Sequence, residues 1–247
     1  SSTAHLALAP YFFHWKDPGL SFDVALHLGT LVAVLAYFWK DWMGIFESAF
    51  KNQVQSSKFK AQNYGRNVLW LIIIATIPGV LAGYFLEKDA ETVFRNPLLI
   101  ALALALAGLI LYLADRHARQ GEGIEGINLK KSLVIGLAQA VAIIPGVSRA
   151  GATITAGLFA GLDRKSAARF SFLLSTPIIF GAVALNIPYL WQSGLNSNIV
   201  FGILSSAVSG YLSIKYLLEF LEKSSYKIFF WYRIILALVV VFFTFFI

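Results

Sequence analysis

The stretch SLVIGLAQAVAIIPGVSRAGATITAGLFAGL, Ser132–Leu162, is 31 residues long and carries one charge, Arg149. As a single helix it would extend about 46 Å at ~1.5 Å per residue, well past a hydrocarbon core of ~30 Å. Pro145-Gly146 interrupts it near the middle, where proline removes a helical donor. Neither arm is long enough to cross alone: Ala150–Leu162 has 13 residues, about 20 Å. Two arrangements fit, a single broken crossing or a re-entrant hairpin whose tip lies inside the membrane.

The rest of the chain supplies the membrane. Of 247 residues, 58% are apolar and 13% charged, and the mean hydropathy is +0.70. A soluble domain has roughly 45–50% apolar and about 25% charged residues. This balance excludes disorder, a nucleic-acid-binding module and an ordinary soluble enzyme. It indicates a single all-α polytopic membrane domain over residues 1–247. There is no cysteine, so neither a disulfide framework nor a thiolate zinc site is available. Uncharged runs mark the spans Val24–Trp39, Asn67–Leu86 and Pro97–Ala114. Phe170–Ile214, 45 residues, is too long for one crossing and reads as two helices around the polar turn Trp191–Asn198. Ile228–Ile247 closes a set of six, with Arg233 near its start read as snorkelling to the surface.

Loop charge chooses between the two arrangements. With a re-entrant Ser132–Leu162, the loops Lys40–Arg66, Asp115–Lys131, Asp163–Arg169 and Lys215–Arg233 share one side and hold 16 Lys and Arg, against 3 opposite. With a crossing, the split is 9 against 10. Positive charge concentrates on the cytoplasmic side, so the hairpin is expected, its mouth cytoplasmic and the C-terminus outside. The net charge of +7 is then loop charge rather than the mark of an acidic partner.

The chain opens with Ser1-Ser2-Thr3-Ala4-His5 and an apolar stretch, Leu6–Phe13, too short to span. Residues 1–13 read as the returning half of a second hairpin, entering from the outer side, whose first half is expected to lie upstream. Ser1–His5 is echoed by Ser148–Ala152, and each is followed about 20 residues on by a Phe-led helix, Phe22 and Phe170. Three crossings separate the copies, so they form an inverted repeat. Such repeats, built on broken helices, place their site near the midplane where half-helix ends meet.

The two tips carry the chemistry. Pro145-Gly-Val-Ser-Arg149-Ala-Gly-Ala-Thr153 ends one arm and starts the next, with Ser148 or its neighbour as cap. A helix start gathers free N–H groups and suits phosphate, and Arg149 adds a permanently charged fork. No Asp or Glu lies within 13 residues of Arg149 on either side, so an anionic ligand is expected for it. Ser148 and Thr153 either donate to phosphate or only cap and back-bond. At the other tip Ser2, Thr3 and His5 bring a possible nucleophile and an imidazole. Asp23 and His27, one turn apart, either relay a proton or simply pair. Gly157 and Gly161 form a GxxxG read as a helix-packing face.

PGVSRAGAT, Ser-Ser-Thr-Ala-His and the Phe22–Thr30 segment FDVALHLGT resemble the undecaprenyl-diphosphate phosphatase family, also called bacitracin-resistance protein. The resemblance runs from Ser1 to the C-terminus. It implies an integral membrane phosphatase of the bacterial plasma membrane that recycles the C55 lipid carrier of cell-wall synthesis, its site open to the outer face. It also implies interdigitated inverted repeats with re-entrant hairpins. Carried over residue by residue, Ser2 is nucleophile or water-orienting hydroxyl, His5 the acid–base group and Arg149 the diphosphate grip. Thr3, Ser148, Gly151, Thr153 and His27 line the substrate. A divalent cation, Mg2+ or Ca2+, is expected by resemblance. The family's two glutamates upstream of Ser-Ser-Thr are absent from this chain, so its metal ligands are unknown and residues 1–247 alone are expected to turn over slowly. Where the family usually has Ser, Ala150 stands. Expected partners are a polyprenyl diphosphate and membrane lipids, no nucleic acid, with a homodimer left open. The rival function is a flippase for a polyprenyl phosphate, which needs the anion grip but not Ser2 and His5.

Overall fold

The computed structural model describes residues 2–16, 19–50, 64–91, 93–117, 121–194 and 196–246. Ser1 and the loop lysines Lys51, Lys58 and Lys60, with Arg119, lie outside the described residues. Those described form nine α-helices: α1 Ser2–Phe13, α2 Leu20–Phe50, α3 Val68–Glu91, α4 Pro97–His117, α5 Leu129–Val141, α6 Arg149–Phe159, α7 Arg164–Ser193, α8 Ser197–Leu221 and α9 Lys227–Phe246. Six of them, α2, α3, α4, α7, α8 and α9, are long and apolar enough to cross a membrane. The expected spans are all present, and the protein is an all-α, multi-pass membrane protein. α2 runs well past its uncharged core and bends at Phe38, whose φ/ψ of −97°/16° leaves the helical region.

The chain divides into two compact units. The first comprises Ser1–Lys16, Ile74–Ser171 and Leu221–Ile247. Its spine is α4 packed along α9, with α5 against α6 and α6 against α4. The doubtful segment, α5 and α6, is a hairpin. Glu122, ahead of α5, donates its N–H to Gly161 O at 2.8 Å and accepts from Asp163 N at 2.9 Å. The chain entering the segment therefore touches the chain leaving it, which a single crossing would hold a membrane thickness apart. Asn128 caps α5 through the Lys131 N–H at 3.0 Å.

The mouth of this hairpin is pinned to the start of α9. The Arg164 fork spans the Asp115 carboxylate, Nε to Oδ1 at 2.5 Å and Nη2 to Oδ2 at 3.1 Å, with Asp115 buried at the end of α4. The Tyr226 N–H donates to the same carboxylate at 3.2 Å, and its phenol donates to Arg164 O at 3.1 Å. Burial first, and the Asp115 charge second, hold the Tyr226 phenol above its ordinary pKa. At the surface Lys165 pairs with Glu222, and that hydrogen bond holds the Glu222 carboxyl below its ordinary range.

α1 enters the first unit from the other end of α9. Tyr11 meets Thr244 at 3.1 Å, and Phe12 packs edge-on against Phe243. Ala4 and Leu8 are buried with Ile100, Ala101 and Leu104 of α4 and with Ala237 and Val240 of α9. The two short elements thus come in from opposite ends of the same helix, as an inverted pair requires.

The second unit comprises Asp17–Ile73 and Phe172–Phe220. In it α2 lies close on α8, through a ridge of small residues at every fourth position of α8: Gly202, Ser206 and Gly210. A Cβ on Gly202 would stand 3.0 Å from the Phe22 ring, and one on Gly29 of α2 would stand 2.3 Å from Ile203 O. Ser206 donates to Leu26 O at 2.6 Å and lies 3.0 Å from the Thr30 hydroxyl. Small-xxx-small spacing lets backbones approach this closely in lipid. The expected GxxxG of α6 is only half that. A Cβ on Gly157 would lie 3.1 Å from the Ala167 Cβ, but Gly161, at φ +90°, ends the helix as a left-handed turn residue with open space around it.

The loop between α6 and α7 tests the topology. In this cysteine-free chain, a cysteine at Lys165 removes only a surface ion pair, worth little, whereas one at Arg164 would break the buried Asp115 contact. K165C is expected to react with an impermeant thiol reagent in inside-out vesicles and not in intact cells. Reaction in intact cells would reverse the orientation read from the loop charges.

Candidate active site

α5 loses its regular pattern in a run of tight turns, Ala142 N to Gln139 O at 3.1 Å, Ile143 N to Ala140 O at 3.3 Å and Ile144 N to Val141 O at 3.3 Å, just ahead of Pro145. The tip then presses on α4. Gly146 has φ +100°, and a Cβ there would lie 2.7 Å from Ile100 O and 3.2 Å from Leu104 N, so both conformation and space demand glycine. Ser148 holds φ +69° and ψ 119°, a sparsely populated conformation for a residue with a side chain, costing on the order of 1–3 kcal/mol. What holds it is its capping role: its Oγ accepts from Gly151 N at 3.2 Å and its carbonyl from Ala152 N at 2.8 Å. Ser148 is thus the cap of α6, and Arg149, half-buried, is that helix's first residue.

Of the two roles left open for it, Thr153 shows back-bonding. It is 1% exposed. Its hydroxyl donates to Arg149 O at 2.9 Å and pairs with the Ser171 hydroxyl of α7 at 2.6 Å, bracing α6 from below the tip. Gly151 has a spatial task. A Cβ there would stand 2.4 Å from Arg233 Nη2.

That contact brings in a residue whose position corrects the sequence reading. Arg233 does not snorkel. It is 7% exposed, its stem passes over Gly108 of α4, and its Nη1 donates to Val147 O at 3.3 Å in the hairpin tip. Among the described residues no carboxylate pairs with it. A guanidinium has five donors, and this one uses a single long hydrogen bond beside the N-terminus of α6. The signal was in the sequence, a lone arginine in an apolar run, but its place six residues into α9 suggested the surface.

The residue before it serves the other tip. The Tyr232 hydroxyl shares a hydrogen bond with His5 Nε2 at 2.5 Å, and the two rings lie end to end with centroids 5.9 Å apart and planes at 7°. Ser2, Thr3 and His5 lie on the open side of α1, while Ala4 and Leu8 are buried. Two consecutive residues of α9 therefore touch both tips, Tyr232 the start of α1 and Arg233 the start of α6. His27 lies in the second unit, with its Nδ1 2.7 Å from the Asp23 carbonyl, so the contact inside that pair is side chain to backbone.

This turn of α9 brings the His5 imidazole and the Arg233 guanidinium to the starts of α1 and α6, helix starts that also carry Ser2, Thr3 and Arg149. These groups suit an anion rich in oxygen. Among the described residues no group of three His, Asp or Glu is placed to hold a metal. A hard cation asks for carboxylate oxygens, and the tip residues do not fit one.

Comparison with known proteins adds the family. Residues 1–239 match the model of the family described as bacitracin resistance protein BacA. The undecaprenyl-diphosphatase of Moorella thermoacetica is 49% identical over 241 residues, covering 98% of this chain and 89% of that protein. Those of Pelotomaculum thermopropionicum and Desulforudis audaxviator are 46% and 47% identical over the same length, each covering 98% of this chain and 88% and 89% of the relative. With six membrane-spanning helices and similarity along almost its whole length, the chain belongs to the bacitracin resistance protein family.

Proposed function

We propose that this chain hydrolyses undecaprenyl diphosphate to undecaprenyl phosphate and inorganic phosphate. The observation that carries the reading is the meeting of two unlike tips on α9: hydroxyls and an imidazole from one side, an arginine-flanked helix start from the other. Arg149, Arg233 and the N–H groups at the start of α6 bind the diphosphate oxygens and stabilise charge developing on the leaving phosphate. The terminal phosphorus is attacked by the Ser2 hydroxyl or by a water that Ser2 orients. The bond from that phosphorus to the bridging oxygen breaks, and the bridging oxygen leaves with the lipid. In the water route His5 takes the proton from the attacking oxygen; in the serine route it does so before water releases the phosphate. The apolar flanks of the helices accommodate the isoprenoid tail. The enzyme acts in the bacterial plasma membrane with the tips open to the outer face. Transport without hydrolysis would leave the hydroxyl–imidazole start of α1 without a task.

Three variants of the full protein, assayed by phosphate release from undecaprenyl diphosphate in detergent, test the reading. Arg149→Lys keeps charge but loses the fork, so kcat/KM is expected to fall about 10- to 100-fold, the worth of a charge-assisted hydrogen bond. Gly151→Ala meets only the mobile end of Arg233, so the fold survives while the displaced guanidinium raises KM. For His5→Gln the pH–rate profile should lose or shift one limb, and the rate should fall by roughly 10²–10⁴. Wild-type turnover in Arg149→Lys, or a normal rate and profile in His5→Gln, would contradict these roles.

A further inference from the structure

We propose that Tyr232 is the positioning residue of His5, holding the imidazole in register through both of its protonation states. This rests on the reading of His5 as the group that moves the proton. Several features of the contact go beyond an aromatic residue facing lipid. Tyr232 sits a turn and a half into α9, not at a helix end where tyrosines collect at the membrane surface. Its hydroxyl is on His5 Nε2, 2.5 Å away, and the two rings lie end to end with their planes 7° apart. The hydrogen bond therefore lies close to the plane of the imidazole, in line with the Nε2 lone pair or N–H.

The chemistry of a phenol explains why a tyrosine suits this place. A neutral imidazole offers one N–H and one bare nitrogen, and an imidazolium offers two N–H groups. A carbonyl or carboxylate can only accept, so it would hold Nε2 only when that nitrogen carries a proton. A hydroxyl donates to a bare Nε2 and accepts from a protonated one. Tyr232 can therefore keep the same contact before and after His5 gains a proton, with the ring unmoved between the two half-reactions. Because Arg233 is the next residue and contacts Val147 and Gly151, the same turn of α9 also sets the distance from His5 to the anion-binding tip.

Tyr232→Phe keeps the ring and removes the hydroxyl that joins it to His5. With undecaprenyl diphosphate as substrate, kcat is expected to fall about tenfold or more, a part of the 10²–10⁴-fold that a placed acid–base group contributes, while KM stays within about twofold. The chain has four histidines, so the imidazole 15N resonances of His5 can be assigned by their loss in His5→Gln. They are expected to shift in Tyr232→Phe, and those of His14, His27 and His117 are not. Placed on His5→Gln, Tyr232→Phe should add less than about twofold. Wild-type kcat with unmoved His5 resonances, in a protein that His5→Gln still cripples, would overturn the proposal and leave the acid–base reading standing. A fall in kcat without movement of those resonances, or full additivity of the two changes, would also overturn it. A normal rate and profile in His5→Gln would instead remove the acid–base reading, and the proposal with it.

Discussion

A helix too short to cross a membrane must end inside it, and its last free backbone groups and any charge beside them then need partners that hydrocarbon cannot supply. Three of the nine described helices, α1, α5 and α6, are of this kind. The structure brings the start of α1 to Tyr232 and the hairpin tip at the start of α6 to Arg233, consecutive residues of α9. The buried Asp115–Arg164 fork anchors the hairpin mouth at the beginning of that helix, and Tyr11 and Phe12 anchor α1 near its end. The α4–α9 pair is therefore a ruler along which two elements from opposite sides are measured to meet.

The same constraint accounts for the polarity of the meeting point. The start of α6 exposes donors, and Arg233 and Arg149 add fixed positive charge. Such a tip suits phosphate oxygens. Strain points the same way. Gly146 and Ser148 both hold positive φ within three residues. At Gly146 the chain needs no side chain, whereas at Ser148 a side chain is kept because its oxygen caps α6. Thr153 and Ser171 then stiffen α6 from beneath, so the tip can hold this shape.

Much of this was legible in the sequence because it depends on length and charge. The six spans follow from uncharged runs. The hairpin follows from the length of Ser132–Leu162 and from the distribution of Lys and Arg, two quantities that packing cannot alter. The cap at Ser148 follows from Pro-Gly placed before Ser-Arg. The sequence could not show contacts between elements far apart in the chain. Nothing in the alternation of residues marks Tyr232 among ten tyrosines as the one on His5. Arg233 was misjudged because depth in a membrane depends on what shields the side chain, here Gly108 and Gly151, and not on distance from the end of an apolar run. For Thr153 the sequence left phosphate and back-bonding open, and only the fold shows its hydroxyl on Arg149 O and Ser171.

The central claim is that two tips from opposite sides meet on one turn of α9, and photo-crosslinking tests it directly. A benzophenone amino acid placed at Tyr232, and in a second protein at Arg233, reacts with C–H bonds near its carbonyl, and mass spectrometry of the membrane-embedded protein maps the adducts. The account predicts adducts from position 232 in the α1 peptide around His5 and adducts from position 233 in the peptide spanning Val147–Gly151. Adducts from both positions confined to α8, α9 or lipid would show that the tips do not meet there, and the active site proposed here would have to be abandoned.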